Sequence, residues 1–285
     1  MRVNSLKRND SDFPEILLHI PSPPREIFWL GYEPKQLLKK PRVAIVGSRK
    51  ITAYGRLVTE KLATELARAG IVTISGLALG VDAVAHWASL QAGGQTIAVL
   101  PTSLDQIYPA THLNLAKQIA EHEGCLISEY PPGAQIYRTN FIARNRIVSA
   151  LADVLVITEA ARDSGTMHTA SFALEQGKTV MAVPGNINSP TSEGCNNLIK
   201  NGAVPLTSAE DIFQALNLSN PKSRQRVFKG SQNEQLIYEL ISKGVADLDS
   251  LASRSRLDGP TLNSSLTMLE INGYVRAEAG QWTLN

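Results

Sequence analysis

The chain has 285 residues, 43% of them hydrophobic and 19% charged, with a formal net charge of +2. This is room for one large domain and a small one, with enough apolar content to exclude global disorder. Cys125 and Cys195 form no C-x-x-C pattern, no apolar run approaches the roughly 18 residues of a membrane span, and "MRVNSLKRND" lacks a signal-peptide core, so a soluble, cytoplasmic protein without a disulfide framework is expected.

Residues 1–40 carry Pro14, Pro21, Pro23, Pro24 and Pro34 and read as an extended N-terminal lead-in with one helix near Lys35 to Lys40. From Arg42 the chain alternates short apolar runs with helical periodicity. The runs are "VAIVG" (43–47), "IVTIS" (71–75), "TIAVL" (96–100), "CLISE" (125–129), "VLVIT" (154–158), "TVMAV" (179–183) and a weak "AVPLT" (203–207). They are β-branched, free of charge in their interiors and bounded by Gly or Pro, as strands buried on both faces must be.

Helical segments fill the gaps, the first with Val58, Leu62, Leu66 and Ala69 on one face and Gly70 as its stop. The others are 80–92, 112–123, 140–151, 165–176, 193–201 and 208–216. Such alternation specifies an α/β fold, a doubly wound Rossmann-like parallel sheet over 41–218, whose ligands bind beyond the carboxyl ends of the strands.

Charge then shifts along the chain. Residues 1–218 hold 20 Lys/Arg and 19 Asp/Glu. Residues 219–230 hold Lys222, Arg224, Arg226 and Lys229 with no acid and read as a basic linker. Residues 231–285 are net −3 and read as a C-terminal winged helix. Leu236, Ile237, Leu240 and Ile241 have helical spacing, "DLDSLASRS" starts at an Asp cap, Pro260 opens a third helix, and a hairpin turns about Ala279-Gly280.

Candidate chemistry gathers after the strands. Gly47, Ser48 and Arg49 offer a close backbone, a hydroxyl and a planar fork to a phosphate, and Thr52 caps the following helix. An ordinary strand-to-helix turn with a surface arginine would look the same. Asp82 and His86 stand at i,i+4, either as a His–Asp base or, preferably, as a structural pair pinning the helix start. In "YRTNFIARNRIVSALAD", a base can stack on Phe141 while Arg138 and Arg144 hold flanking phosphates. The alternative puts Phe141 in the core and the arginines in surface ion pairs. Ser164, Gly165 and Thr166 open a later helix and can present hydroxyls and N–H groups to another phosphate. None of the five histidines has metal-ligand spacing, so no metal or other cofactor is expected.

Taken in order, "FPEILLHIPSPPREIFWLG", "VAIVGSRKITAYG", "SGLALGVDAVAHWASL", "LDQIYPATHLNLA", "LISEYPPG", "FIARNRIVSALAD" and "SGTMHTASFALEQGKTVMAVPGNI" resemble the DNA-processing protein A (DprA, also called Smf) family over about residues 13 to 218. The resemblance implies a non-enzymatic protein that binds single-stranded DNA in natural transformation or recombination, helps load the RecA recombinase and works as a homodimer. It implies a DNA pocket using Arg49, Arg138, Phe141, the Arg144-Asn145-Arg146 motif and the Ser164-Gly165 turn. Departures are Met167-His168 in place of an apolar pair, Pro101-Thr102-Ser103 in place of a glycine-rich start, and an N-terminal helical domain expected to be absent or reduced to the first 40 residues.

Two other readings are weighed against this. A nucleotide phosphoribohydrolase would need a carboxylate where Thr169 stands, leaving Glu129 or Glu159 as substitutes. A duplex-DNA regulator would use the third helix of the C-terminal unit, but that helix offers Thr261, Asn263, Ser264 and Thr267 and no Lys or Arg. A protein contact is the expected role of the winged helix.

Overall fold

A computed structural model describes residues 2–218, 230–278 and 280–284. These fall into two compact units, one on either side of 219–229. The expected basic linker therefore lies, apart from Gly230, outside the described residues.

The larger unit is built on the expected apolar runs. β3 (Arg42–Val46), β4 (Val72–Ser75), β5 (Thr96–Val99), β6 (Cys125–Ser128), β7 (Val154–Ile157), β8 (Thr179–Ala182) and β9 (Val204–Pro205) are mutually parallel and ordered β6-β5-β4-β3-β7-β8-β9. The chain runs outward from β3 to β6, then returns to β7 on the other side of β3. The order therefore reverses between β3 and β7, where open α/β sheets form their ligand crevice.

Both faces are covered. Val43 and Ile45 pack under α2 (Ala53–Arg68), with Leu62 and Leu66 fully in the core, beside α3 (Val81–Gln91) and α8 (Ala209–Ala215). α4 (Leu113–Glu121) extends this layer over β5 and β6. On the opposite face Ala44 and Val46 meet α5 (Arg138–Leu151), α6 (Thr166–Glu175) and α7 (Glu193–Lys200). Alternate residues of one strand reach opposite layers, which is why the runs carry no polar alternation.

The first 40 residues differ from an extended lead-in. β1 (Asn4–Lys7) and β2 (Glu26–Gly31) continue the sheet past β6 as an antiparallel edge, with Phe28 opposite Ser128 and Leu30 opposite Leu126. Phe13, Leu17 and Ile20 enter the core between them, and α1 is a single turn, Pro34–Leu37. The prolines lie in or beside connections, while "EIFWL" carries the strand chemistry.

The smaller unit is a winged helix: α9 (Gln232–Ser242), α10 (Leu248–Ser255), α11 (Gly259–Ile271) and an antiparallel hairpin, β10 (Val275–Glu278) with β11 (Gln281–Leu284). Ile237, Ile241, Leu251, Leu262, Leu266 and Leu269 form its core. The Asp247 carboxylate caps α10 by accepting from Ser250 N at 2.7 Å. On α11 the exposed residues are Gly259, Pro260, Asn263, Ser264, Thr267, Met268, Glu270 and Ile271, with Thr261 half-buried.

Candidate functional site

The segments after β3 and β7 are tied together at the reversal point. Ser48 N donates to Glu159 O at 2.7 Å and Ser48 O accepts from Val81 N at 3.1 Å, fixing the loop against β7 and α3. Two glycines permit this. A Cβ on Gly80 would lie 2.2 Å from Ser48 O, at φ +79°, and one on Gly47 would lie 2.7 Å from Glu159 O. The loop forms one wall of an open cleft of about 600 Å³, and the turn Ala161 to Thr166 forms the facing wall.

Gly47, Ser48, Arg49, Phe141, Arg144, Asn145, Ser164, Gly165 and Thr166 all line this cleft, although they come from three separate stretches of chain. Ser48 Oγ is engaged with its own loop, accepting from Lys50 N at 3.1 Å and donating to Lys50 O at 3.0 Å. Thr166 Oγ1 donates to Gly47 O at 3.0 Å and accepts from Ser164 Oγ at 3.0 Å, so the start of α6 is hydrogen-bonded to the first loop. Asn145 Nδ2 reaches Gly165 O at 3.5 Å.

Arg49 and Phe141 form the exposed lip. The guanidinium lies over the half-buried Phe141 ring, 5.6 Å from its centroid. Tyr108, 47% exposed, meets Phe141 edge-to-face at 5.2 Å. Sequence reasoning did not single out Tyr108, although it stands inside the "LDQIYPATHLNLA" run. The other side of the cleft carries Asp163 and an Arg162–Glu193 pair at 3.8 Å.

Arg144 is 4% exposed and is a brace as much as a lining residue. Its Nη1 donates to Gly76 O and Val99 O, and its Nε donates to Asn145 Oδ1 at 3.3 Å. Burial lowers its pKa to about 10, against the opposing pull of Asp82, so it stays cationic at neutral pH. Its Nε and Nη1 are thus spent on groups of the chain itself, unlike the donors of a freely reaching side chain. A Cβ on Gly76 would come within 2.4 Å of this guanidinium, so the arginine lies flat against the glycine.

Arg146 points away from the cleft. Two residues along a helix turn the side chain by about 200°. It pairs instead with Glu129 at 2.5 Å, and both are largely buried. Arg138 is exposed in the first turn of α5, three residues before Phe141, and does not line the cleft. Thr52 caps α2 as expected, accepting from Gly55 N at 3.1 Å, but it faces elsewhere. The buried Glu159 carboxylate accepts from Thr52 N at 2.9 Å, so the positive end of α2 already holds an anion from within the chain.

The Asp82–His86 pair does not form. Asp82 Oδ2 accepts from Gly76 N at 3.0 Å and Ala78 N at 3.3 Å, folding the loop onto the start of α3. Burial raises its pKa while Arg144 lowers it. His86 points toward β5, with Nδ1 2.6 Å from Thr96 Oγ1. That hydroxyl donates to Thr73 O at 2.8 Å, so the imidazole carries its proton on Nδ1. Burial pushes the His86 pKa down to about 3, and it is neutral at pH 7. Side chains in a first helical turn lean back toward the preceding loop, so spacing alone did not make these two meet. Among the described residues no three His, Cys, Asp or Glu side chains cluster as a metal site would need.

The chain thus has an open cleft, edged by Arg49 and Phe141, at the reversal point of a doubly wound Rossmann-like sheet, and it carries a winged helix besides. A family model described as DNA recombination-mediator protein A matches residues 4–217, and one for the DprA winged helix domain matches residues 221–281. The chain belongs to the DNA recombination-mediator protein A family, the DprA/Smf proteins.

It is 38% identical over 248 residues to the putative DNA processing protein DprA of Mycobacterium tuberculosis, covering 85% of this chain and 64% of that one. To DNA processing protein DprA of Bacillus subtilis it is 40% identical over 214 residues, covering 75% and 71%. It thus spans less than two thirds of the mycobacterial relative. Among solved structures, DprA from Streptococcus pneumoniae superposes with a TM-score of 0.70 at 38% identity, covering 75% of this chain and 74% of that one. DprA from Helicobacter pylori, whose structure addresses its single-stranded DNA binding mode, gives 0.67 at 34% identity, covering 76% and 96%.

Proposed function

We propose that this chain binds single-stranded DNA in the cleft between the ends of β3 and β7, and that it hands the strand to the RecA recombinase as a homodimer. The observation that carries the reading is the Arg49–Phe141 lip. An exposed cation for phosphate sits beside an aromatic ring for a base, the combination that holds single strands without reading their sequence. The Helicobacter relative named for its single-stranded DNA binding mode supports it. The phosphoribohydrolase reading lacks such support: Glu129 is bound to Arg146 and Glu159 to Thr52 N, and neither lines the cleft.

The test is fluorescence anisotropy with labelled oligo-dT across a salt series, for the wild type and Arg49→Ala, with duplex DNA and AMP as competitors. Expected are a steep fall with salt, little competition, and a loss of about tenfold or more in the variant. Displacement by AMP would refute the reading and bring the enzyme forward. RecA filament formation on the same strand, with and without the protein, checks the delivery step, and sedimentation checks the dimer.

A further inference from the structure

Phe141 stands between the cleft and a second, smaller recess whose apolar walls are Leu79, Pro101, Tyr108 and Pro109. Leu79 is 48% and Tyr108 47% exposed, so the apolar surface here is open, not sealed into the core. Arg49 and Arg144 border both spaces.

The loop that carries Tyr108 is held in place. Thr102 Oγ1 donates to Gln106 O at 2.6 Å, Ser128 Oγ donates to Thr102 O at 2.6 Å, and His112 Nδ1 lies 2.9 Å from Leu77 O. An exposed aromatic ring on a fixed loop, at 82° to Phe141, costs little ordering when a planar group packs on it. Apolar walls under a guanidinium rim match a nucleobase, which has apolar faces and acceptor edges.

Resting on the reading that the cleft holds single-stranded DNA, we infer that Tyr108 contacts a second nucleobase in this recess, next to the base on Phe141. The aromatic corner then separates two successive bases, with Arg49 between them and the phosphates. Tyr108 is a binding residue in its own right and not only a prop for Phe141.

A double-mutant cycle on oligo-dT affinity separates these roles. Tyr108→Ala is expected to weaken binding about tenfold in the wild type and, because the two rings touch and couple, by a smaller factor of about threefold or more in a Phe141→Ala background. Tyr108→Leu keeps the apolar bulk for folding and is expected to lose most of the same affinity, while Tyr108→Phe retains it. Thermal unfolding of each variant confirms that the fold survives. If the Tyr108 effect vanishes once Phe141 is gone, the ring only positions Phe141 and the inference is overturned. Tyr108 variants binding within twofold of a wild type that does bind would overturn it too. A wild type with no affinity for oligo-dT would remove the single-strand reading itself.

Discussion

Replacing Arg144 with methionine tests whether this residue is chiefly a brace. Its guanidinium is buried, donates to the carbonyls of Gly76 and Val99 at the ends of β4 and β5, and offsets the charge of buried Asp82. Methionine fills the stem but leaves two acceptors without their donor and the carboxylate without its cation. Removing one partner of a buried charge arrangement costs about 3–5 kcal/mol. That would be a large part of the stability of a domain this size.

The assay is urea unfolding of the larger unit, followed by tryptophan fluorescence, at pH 7.5 and pH 5. Loss of Arg144 removes an influence that lowers the Asp82 pKa, so that pKa rises further. A carboxyl with a raised folded pKa is most favourable to the fold when protonated, and its cost grows as pH rises. The deficit of the variant therefore narrows toward pH 5. A cost below about 1 kcal/mol with a more than tenfold loss of oligo-dT affinity would refute the argument and make Arg144 a phosphate ligand first.

Thr52→Ala removes the cap of α2 and should cost about 1 kcal/mol in urea unfolding. Oligo-dT affinity should stay within twofold, because Glu159 occupies that helix end; a tenfold loss would return Thr52 to the DNA site. Arg146→Met should destabilise strongly by stranding Glu129, and the double replacement Arg146→Met with Glu129→Leu should recover much of the loss. Equal unfolding midpoints for the single and double variants would disprove that coupling. His86 has a folded pKa near 3, below its usual value near 6.5, so the unfolded chain takes up a proton that the folded chain refuses. Its stabilising contribution is present above about pH 6.5 and is lost as pH falls. His86→Gln should flatten stability against pH by about one proton near pH 5, and an unchanged slope would contradict the burial argument.

The parallel sheet and most of its helices were legible because their signals are local. Unbroken apolar runs such as "VAIV" and "VLVI" leave no polar face, and Gly70 and Gly273 mark helix ends at φ +74° and +67°. The loop Gly47-Ser48-Arg49 was legible as a phosphate-suited turn for the same reason. β1 and β2 were hidden by the prolines around them, and only pairing with β6 makes "EIFWLG" a sheet strand.

By itself the sequence determined where the parallel strands and most of the helices lie, the winged helix with an Asp cap on its second helix, and the family to which the ordered motifs belong. Only the tertiary structure decided which charged groups face the cleft. Arg144 meets carbonyls 68 and 45 residues away, and Thr52 meets a carboxylate 107 residues away. An arginine's side chain has the same reach and donors whether it is buried or exposed. Which of Arg49, Arg144 and Arg146 keeps its charge toward solvent is settled by long-range packing, and adjacent residues do not encode it.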